Sequence, residues 1–209
     1  MKKPISNQKY QELYTETAKL RILHVLFTFP DKEFSLSDLA KEAKAAKANI
    51  GVILREFQSL GLVEISKLNV IWRIKANKLN PAFIKLKIPY NLSMIYNSGI
   101  IEFLNDYYGS TKAIILFGSY RKGDDISDSD IDIAVEVESL PHNYKKNYKV
   151  IELEKLARNE GEAVKIKGLQ FILRRRIQVH VFNRKDIDLN LFNNLANGIV
   201  LDGFLEVKP

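Results

Sequence analysis

The sequence contains no cysteine and only three histidines. Without thiols neither a disulfide framework nor a thiolate metal site can form, so disulfide-rich secreted folds and cysteine-ligated zinc modules are excluded. No stretch approaches the ~20 apolar residues of a membrane helix, and the first ten residues carry lysines but no apolar signal-peptide segment. These absences predict a cytoplasmic protein with no membrane partner.

The residues that are present suffice for packed cores, and their charge is unevenly distributed. Hydrophobic residues make up 46% of the 209 positions, which is ordinary for globular domains. Residues 1–80 hold 14 Lys and Arg against 8 Asp and Glu, whereas residues 81–209 hold 18 against 17. The basic first part favours contact with DNA or RNA; a merely solvated basic surface is the alternative.

Helical spacing of apolar residues and two β-rich runs predict a small domain at residues 1–80. Its predicted elements are helices at residues 10–29, from Ser35 or Ser37 to Ala43 and at residues 47–60, and strands at residues 63–67 and 70–75. Pro30 and Gly61 end the first and third helices. This order resembles the winged helix-turn-helix of bacterial and archaeal regulators over residues 10–76.

Such a resemblance implies DNA contact through the second helix of the motif and through the wing. The contact residues that it implies are Lys44, Lys47, Asn49, Arg55, Lys67 and Arg73. Gly51 and Val52, however, stand where a base-reading helix usually carries polar side chains. Dimerisation or packing on a neighbouring domain is therefore the alternative role, because a fold alone does not fix a function.

Residues 81–209 predict a second domain, in which strands and helices are mixed. Pro81 and Pro89 bracket residues 81–90, which are interpreted as a connector. The other predicted elements are strands at residues 112–117, 131–137 and 177–182, and helices at residues 92–108, 145–158 and 186–197. The predicted fold class is α+β, with the helices of the second domain packed on a small mixed sheet.

The strongest chemical signal lies between residues 113 and 135. An apolar strand ends at Gly118-Ser119, and the next strand opens with Asp130 and Asp132. Alternate positions place both carboxylates on one face, roughly 6.6 Å apart at ~3.3 Å per residue, which allows both to hold one hard cation. Backbone N–H groups and the Ser119 hydroxyl suit phosphate oxygens. The combination predicts a site for a nucleoside triphosphate and magnesium.

This segment resembles the nucleotidyltransferase superfamily of DNA polymerase β, and in size its minimal nucleotidyltransferases. The matching residues are Gly118, Ser119, Gly123, Ser129, Asp130 and Asp132, and the resemblance covers roughly residues 90–203. It implies transfer of a nucleoside monophosphate, with AMP from ATP preferred, to a hydroxyl of a protein or RNA. Asp130 and Asp132 would hold Mg²⁺ or Mn²⁺, and the triphosphate contacts would be Gly118, Ser119, Arg121 and Lys122. Asp124, Asp125 and Asp128 are interpreted as turn residues.

One expected ligand is missing from the pattern. Active members of the superfamily usually carry a third carboxylate on a later neighbouring strand, but the strand predicted at residues 177–182 offers Gln178 and His180. His180 could bind a softer metal or act as a base. The basic run Arg174-Arg175-Arg176 before this strand suits either phosphate contact or a solvated helix end.

Two functions stay open at this point. The two intact metal ligands favour an enzyme that transfers nucleotides. The missing carboxylate favours a DNA-binding regulator whose degenerate transferase domain senses nucleotide or only binds a partner protein. A homodimer is compatible with both.

Overall fold

A computed structural model describes residues 17–69, 71–109, 111–140 and 148–207, without the side chains of Leu68 and Asp186. The chain divides into two compact units, Met1–Ile84 and Lys85–Pro209. Within the described residues, every helix is too short or too polar to cross a membrane.

The first unit contains helices and a small antiparallel sheet; the predicted elements occur in the predicted order, and a short strand at residues 33–34 was not predicted. Its described elements are α1 (Ala18–Thr28), β1 (Glu33–Phe34), α2 (Leu36–Glu42), α3 (Lys47–Ser59), β2 (Val63–Leu68) and β3 (Ile71–Ala76). The strands lie in the order β1-β3-β2. Ser35 caps α2, because its hydroxyl accepts the Asp38 N–H at 3.2 Å. Residues 10–16 of the first predicted helix lie outside the described residues.

The core of this unit is made by the apolar stripes of its helices, which bury fully against the sheet. Its completely buried side chains are those of Ile22, Leu26, Leu39, Ile50, Leu54, Ile74 and Phe83. Phe83 and Phe27 meet edge to face with ring centroids 5.0 Å apart. Ile22, Leu26, Leu39, Ile50 and Leu54 place the buried faces on α1, α2 and α3.

Helix α4 (Pro81–Ser98) includes residues 81–90, so the segment interpreted as a connector is helical. Asn80 Oδ1 accepts the Ala82 N–H at 2.8 Å, and Pro81 suits the first turn because its missing N–H would have no helical partner there. Pro89 lies inside the helix. Gly99, with φ +84°, separates α4 from α5 (Ile100–Tyr108).

Besides α4 and α5, the elements described in the second unit are β4 (Thr111–Phe117), α6 (Gly118–Lys122), β5 (Ile131–Val137), β6 (Tyr148–Glu152), α7 (Glu160–Leu173), β7 (Ile177–Phe182), α8 (Leu189–Ala196) and β8 (Ile199–Gly203). Its five strands form one mixed sheet in the order β6-β7-β5-β4-β8. Only the β5–β7 pair is parallel among the described pairs. The α+β class with a mixed sheet is confirmed.

The two faces of this sheet are covered differently. Helices α4, α5 and α7 pack on one face, where Ile95, Leu104 and Ile166 meet apolar side chains of β4, β5 and β7. On the other face α8 covers one end through Leu195, which packs near Ala134 and Phe182. The polar residues at the start of β5 and β7 lie beyond this small cluster.

One prediction for this unit is wrong, and one helix was not predicted. A helix was predicted at residues 145–158, but Tyr148–Glu152 is strand β6, followed by a 3-10 helix at Leu153–Leu156; residues 145–147 lie outside the described residues. Pairing with β7 overrides the local helical spacing, because strand formation depends strongly on tertiary context. Helix α7 was not predicted, although Asn159 caps it by accepting the Glu162 N–H at 2.9 Å.

Candidate functional site

The Gly118-Ser119 turn lies directly against the acidic strand. Phe117, the last residue of β4, is the register partner of Asp132 on β5. Gly118 has φ +72°, and a Cβ at this position would collide with Asp132 Oδ2. Both the backbone conformation and the close approach therefore require glycine. The fold brings the predicted phosphate-binding turn into contact with a predicted metal ligand.

Asp130 and Asp132 are partly exposed, at 24% and 27% of their side-chain surface. Gln178 Nε2 donates to Asp130 Oδ2 at 2.9 Å, and His180 Nε2 lies 3.2 Å from Asp132 Oδ1. The parallel register pairs Asp132 with Gln178 and Ala134 with His180, which puts the four polar side chains on one sheet face. The structure thus assembles the predicted ligands with the two positions considered for a third.

His180 is held between Asp132 and Tyr148. Tyr148 Oη lies 2.6 Å from His180 Nδ1, and the Phe117 ring meets the imidazole edge to face at 4.8 Å. A neutral imidazole satisfies both contacts when Nε2–H donates to Asp132 and Nδ1 accepts from Tyr148. Burial raises the pKa of the Tyr148 hydroxyl, and the charge of Asp132 raises it further. Tyr148 therefore orients the ring that contacts Asp132.

The two carboxylates, Asp130 and Asp132, suit the binding of one divalent cation, but they do not make a site of three carboxylates. Asp130 Oδ1 is buried and accepts no hydrogen bond among the described residues, which is the kind of oxygen that a hard cation would satisfy. Within the described ranges, however, no group of three His, Cys, Asp or Glu side chains is placed to hold a metal. Glu136 is buried further along β5, and burial raises its pKa.

Sequence reasoning named Arg176 within the basic run at residues 174–176 but did not place it beside Asp130. Ile131 N–H donates to the Arg176 carbonyl at 2.9 Å, and Arg176 Nε lies 2.9 Å from Asp130 Oδ1. This contact is an ion pair without hydrogen-bond geometry, since Oδ1 accepts no hydrogen bond. Arg176 stands two residues before Gln178, and this alternate spacing is the signal in the sequence that could have placed Arg176 beside Asp130. Tyr148 was missed because its segment was predicted as helix.

A buried polar network supports the segment between the turn and β5. Lys87 Nζ lies 2.8 Å from Asp125 Oδ1 and donates to the Asp125 carbonyl at 2.5 Å. Asn91 Nδ2 donates to Asp125 Oδ1 at 2.9 Å and to the Tyr120 carbonyl at 2.8 Å. Arg175 Nη2 lies 3.5 Å from Asp125 Oδ2. Asp125, interpreted from the sequence as a turn residue, is thus a buried partner of three polar side chains. Through Lys87 and Asn91, α4 fixes both α6 and the loop after it.

The remaining predicted phosphate contacts are differently placed. The Arg121 guanidinium donates to the Asn197 carbonyl, and Lys122 is exposed at the end of α6. Neither residue contacts Asp130 or Asp132 among the hydrogen bonds and ion pairs found in the described residues. Their role in phosphate binding stays a prediction.

The predicted nucleic-acid contacts of the first unit are all exposed: Lys44, Lys47, Asn49, Arg55, Lys67 and Arg73. Some of them have partners within the unit. Lys47 Nζ donates to Ser37 Oγ at 2.8 Å, and Arg73 pairs with Glu33. Lys67 Nζ lies 4.9 Å from the centre of the Trp72 ring. Their exposure leaves them accessible to a polyanion, which is still untested.

Residues 98–193 match a family model described as a nucleotidyltransferase domain. The match supports the nucleotidyltransferase superfamily. The matched segment contains the Gly118-Ser119 turn, Asp130, Asp132, Gln178 and His180. No match to the chain was found among the curated proteins or among the solved structures. The winged helix predicted at residues 10–76 lies outside the matched segment and stays a prediction.

Proposed function

We propose that the second unit transfers a nucleoside monophosphate from a nucleoside triphosphate to a hydroxyl of a protein or RNA. The observation that carries this proposal is the contact of the Gly118-Ser119 turn with Asp132, beside Asp130. A phosphate-binding turn and an acidic pair are both needed for such chemistry, and here they share one sheet edge. The family match supports the same reaction class.

Each group has a role that its chemistry suits. Gly118 and Ser119 bind phosphate oxygens through backbone N–H groups and a hydroxyl, and Asp130 and Asp132 hold the divalent cation. When bound, Mg²⁺ or Mn²⁺ would neutralise phosphate charge and lower the pKa of the attacking hydroxyl. The hydroxyl oxygen forms a bond to the α-phosphorus, the bond from that phosphorus to pyrophosphate breaks, and the hydroxyl proton passes to water. Tyr148 and His180 orient Asp132 during this exchange.

Incubation with labelled ATP, GTP, CTP or UTP and either Mg²⁺ or Mn²⁺ tests the proposal. We expect pyrophosphate release and label transferred to protein or RNA, with ATP as the preferred donor. Asp130→Asn keeps the shape of the side chain and should abolish transfer, whereas Asp202→Asn, on the exposed surface of β8, should leave it unchanged. Transfer by Asp130→Asn at the wild-type rate would reject the proposal.

A second candidate function is favoured by the side chains of β7. Gln178 and His180 occupy the strand where a third carboxylate is expected, and the first unit presents exposed basic residues. In this alternative the first unit is a winged helix that binds DNA, and the second unit binds nucleotide without turnover. Binding of the nucleotide would then regulate the protein rather than supply a substrate.

DNA binding measured at several salt concentrations tests this alternative. Affinity should fall steeply with salt because bound counterions are released from the DNA. Lys47→Ala and Arg55→Ala should weaken binding, while Lys165→Ala, an exposed lysine of the second unit, serves as the control. Absence of DNA binding at low salt would reject this alternative.

A further inference from the structure

Arg176 is the cation that neutralises Asp130, and it is weakly held. Its Nε lies 2.9 Å from Asp130 Oδ1, and its side chain is 74% exposed. Oδ1 accepts no hydrogen bond among the described residues, so the pair is electrostatic only. Exposed ion pairs contribute little, because water screens them and long side chains lose freedom when they are fixed. Arg176 can therefore leave Asp130 at small cost.

The neighbouring arginine behaves differently. Arg175 is buried and lies beside Asp125 in the interior, where it helps to fix the loop. Arg176 is exposed and, with Arg174 and part of Arg175, lines an open cavity of about 640 Å³ that also includes Ser127 and Ser129. This volume is in the range of small-molecule sites. Asp128 and Glu154 line the same cavity, so an anion would be drawn to its arginine side.

A divalent cation on Asp130 and the guanidinium of Arg176 would compete for the same oxygen. Two cations at a distance of a few ångström repel each other strongly, so a metal bound to Oδ1 must displace Arg176. The metal arrives with a triphosphate, whose oxygens match the paired donors of a guanidinium. The displaced side chain thus has a new anionic partner within its reach.

We propose that Arg176 binds the triphosphate of the nucleotide and that, without nucleotide, it occupies the place of the metal on Asp130. The inference rests on the proposed nucleotide site and adds a binding residue to it. It makes two predictions of opposite sign for one substitution. Removal of the charge should strengthen metal binding in the absence of nucleotide and weaken binding of the nucleotide.

The test uses Arg176→Gln in the full chain. Mn²⁺ binding without nucleotide, followed by electron paramagnetic resonance, should tighten about two- to fivefold, as expected from loss of an exposed ion pair. Affinity for α,β-methylene-ATP in the presence of Mn²⁺, measured by calorimetry, should fall about tenfold or more. Arg176→Lys should retain wild-type Mn²⁺ affinity and lose only part of the nucleotide affinity. Arg158→Gln, an exposed arginine bound to the Tyr107 carbonyl, should change neither.

The outcomes separate this inference from the proposed function. If the wild type binds the nucleotide and Arg176→Gln binds both ligands like the wild type, the inference is wrong and the proposed function survives. A loss of Mn²⁺ affinity in Arg176→Gln would also overturn it, because the competition would then be absent. If the wild type binds no nucleotide, the proposed function and the nucleotide role of Arg176 fail together, and unchanged Mn²⁺ affinity would reject the counter-ion role as well.

Discussion

Replacing Lys87 with methionine should destabilise the second unit substantially. Lys87 and Asp125 have side-chain exposures of 1% and 0% and lie 2.8 Å apart. Removing one partner of a buried ion pair typically costs about 3–5 kcal/mol, because the other charge stays buried without compensation. Arg175, 3.5 Å from the other Asp125 oxygen, still neutralises part of that charge. We therefore expect a loss at the lower end, about 3 kcal/mol.

Urea denaturation followed by circular dichroism measures this loss in the full chain, and hydrogen exchange of peptides covering β4 and β5 assigns it to the second unit. Lys85→Met, an exposed lysine on the same helix, is the control and should change stability by less than about 0.5 kcal/mol. Because Lys87 fixes the loop before Asp130, nucleotide affinity should fall as well. A stability loss below about 1 kcal/mol would refute the view that this pair anchors the loop.

The same substitution has a predicted pH dependence. Burial lowers the pKa of Lys87 below its ordinary 10.5, nearby Arg175 acts in the same direction, and Asp125 opposes the shift. Between the lowered pKa and 10.5, the unfolded chain binds more protons than the folded one, so stability rises with pH. The stability difference between the wild type and Lys87→Met should therefore widen as pH approaches 10.5. A difference that narrows over this range would contradict the assigned direction.

Two further substitutions test the site itself. Gly118→Ala should reduce nucleotide affinity at least tenfold, because its Cβ would collide with Asp132. Gly109→Ala controls for backbone strain, since Gly109 has the same φ of +72° but lies in open space. Equal nucleotide affinities of Gly118→Ala and Gly109→Ala would contradict the steric argument. His180→Asp should build a third carboxylate beside Asp132 and tighten Mn²⁺ binding about tenfold, measured by electron paramagnetic resonance. Unchanged Mn²⁺ affinity would show that position 180 does not contact the bound ion.

Local sequence patterns predict much of the fold. Helical spacing identifies the buried faces of α1, α2 and α3, and β-branched alternation identifies β4, β5 and β7. Strand β6 escaped prediction because its conformation depends on pairing with β7, which is distant in sequence. The helical conformation of residues 81–90 was not predicted, although proline is compatible with a first helical turn.

The candidate site was predictable from its spaced motif and from the alternate positions Gln178 and His180 of a later strand, but not in its cross-strand contacts. Gly118, Ser119, Asp130 and Asp132 form a spaced motif that can be recognised by eye. Contacts across strands, such as Arg176 with Asp130 and Tyr148 with His180, require the sheet register. The role of Lys87 was hidden because nothing in its local sequence shows that a lysine is buried, and buried lysines are rare.

The most direct test of the central claim is calorimetric titration of α,β-methylene-ATP into the wild type and into Asp132→Asn. This analogue reports binding without turnover, and asparagine retains the size of Asp132 while it removes the charge. We expect wild-type binding only in the presence of Mg²⁺ or Mn²⁺ and a loss of at least tenfold in Asp132→Asn. Wild-type protein that does not bind the analogue with either ion, or Asp132→Asn that binds it equally well, would contradict a metal-dependent nucleotide site at Gly118, Ser119, Asp130 and Asp132.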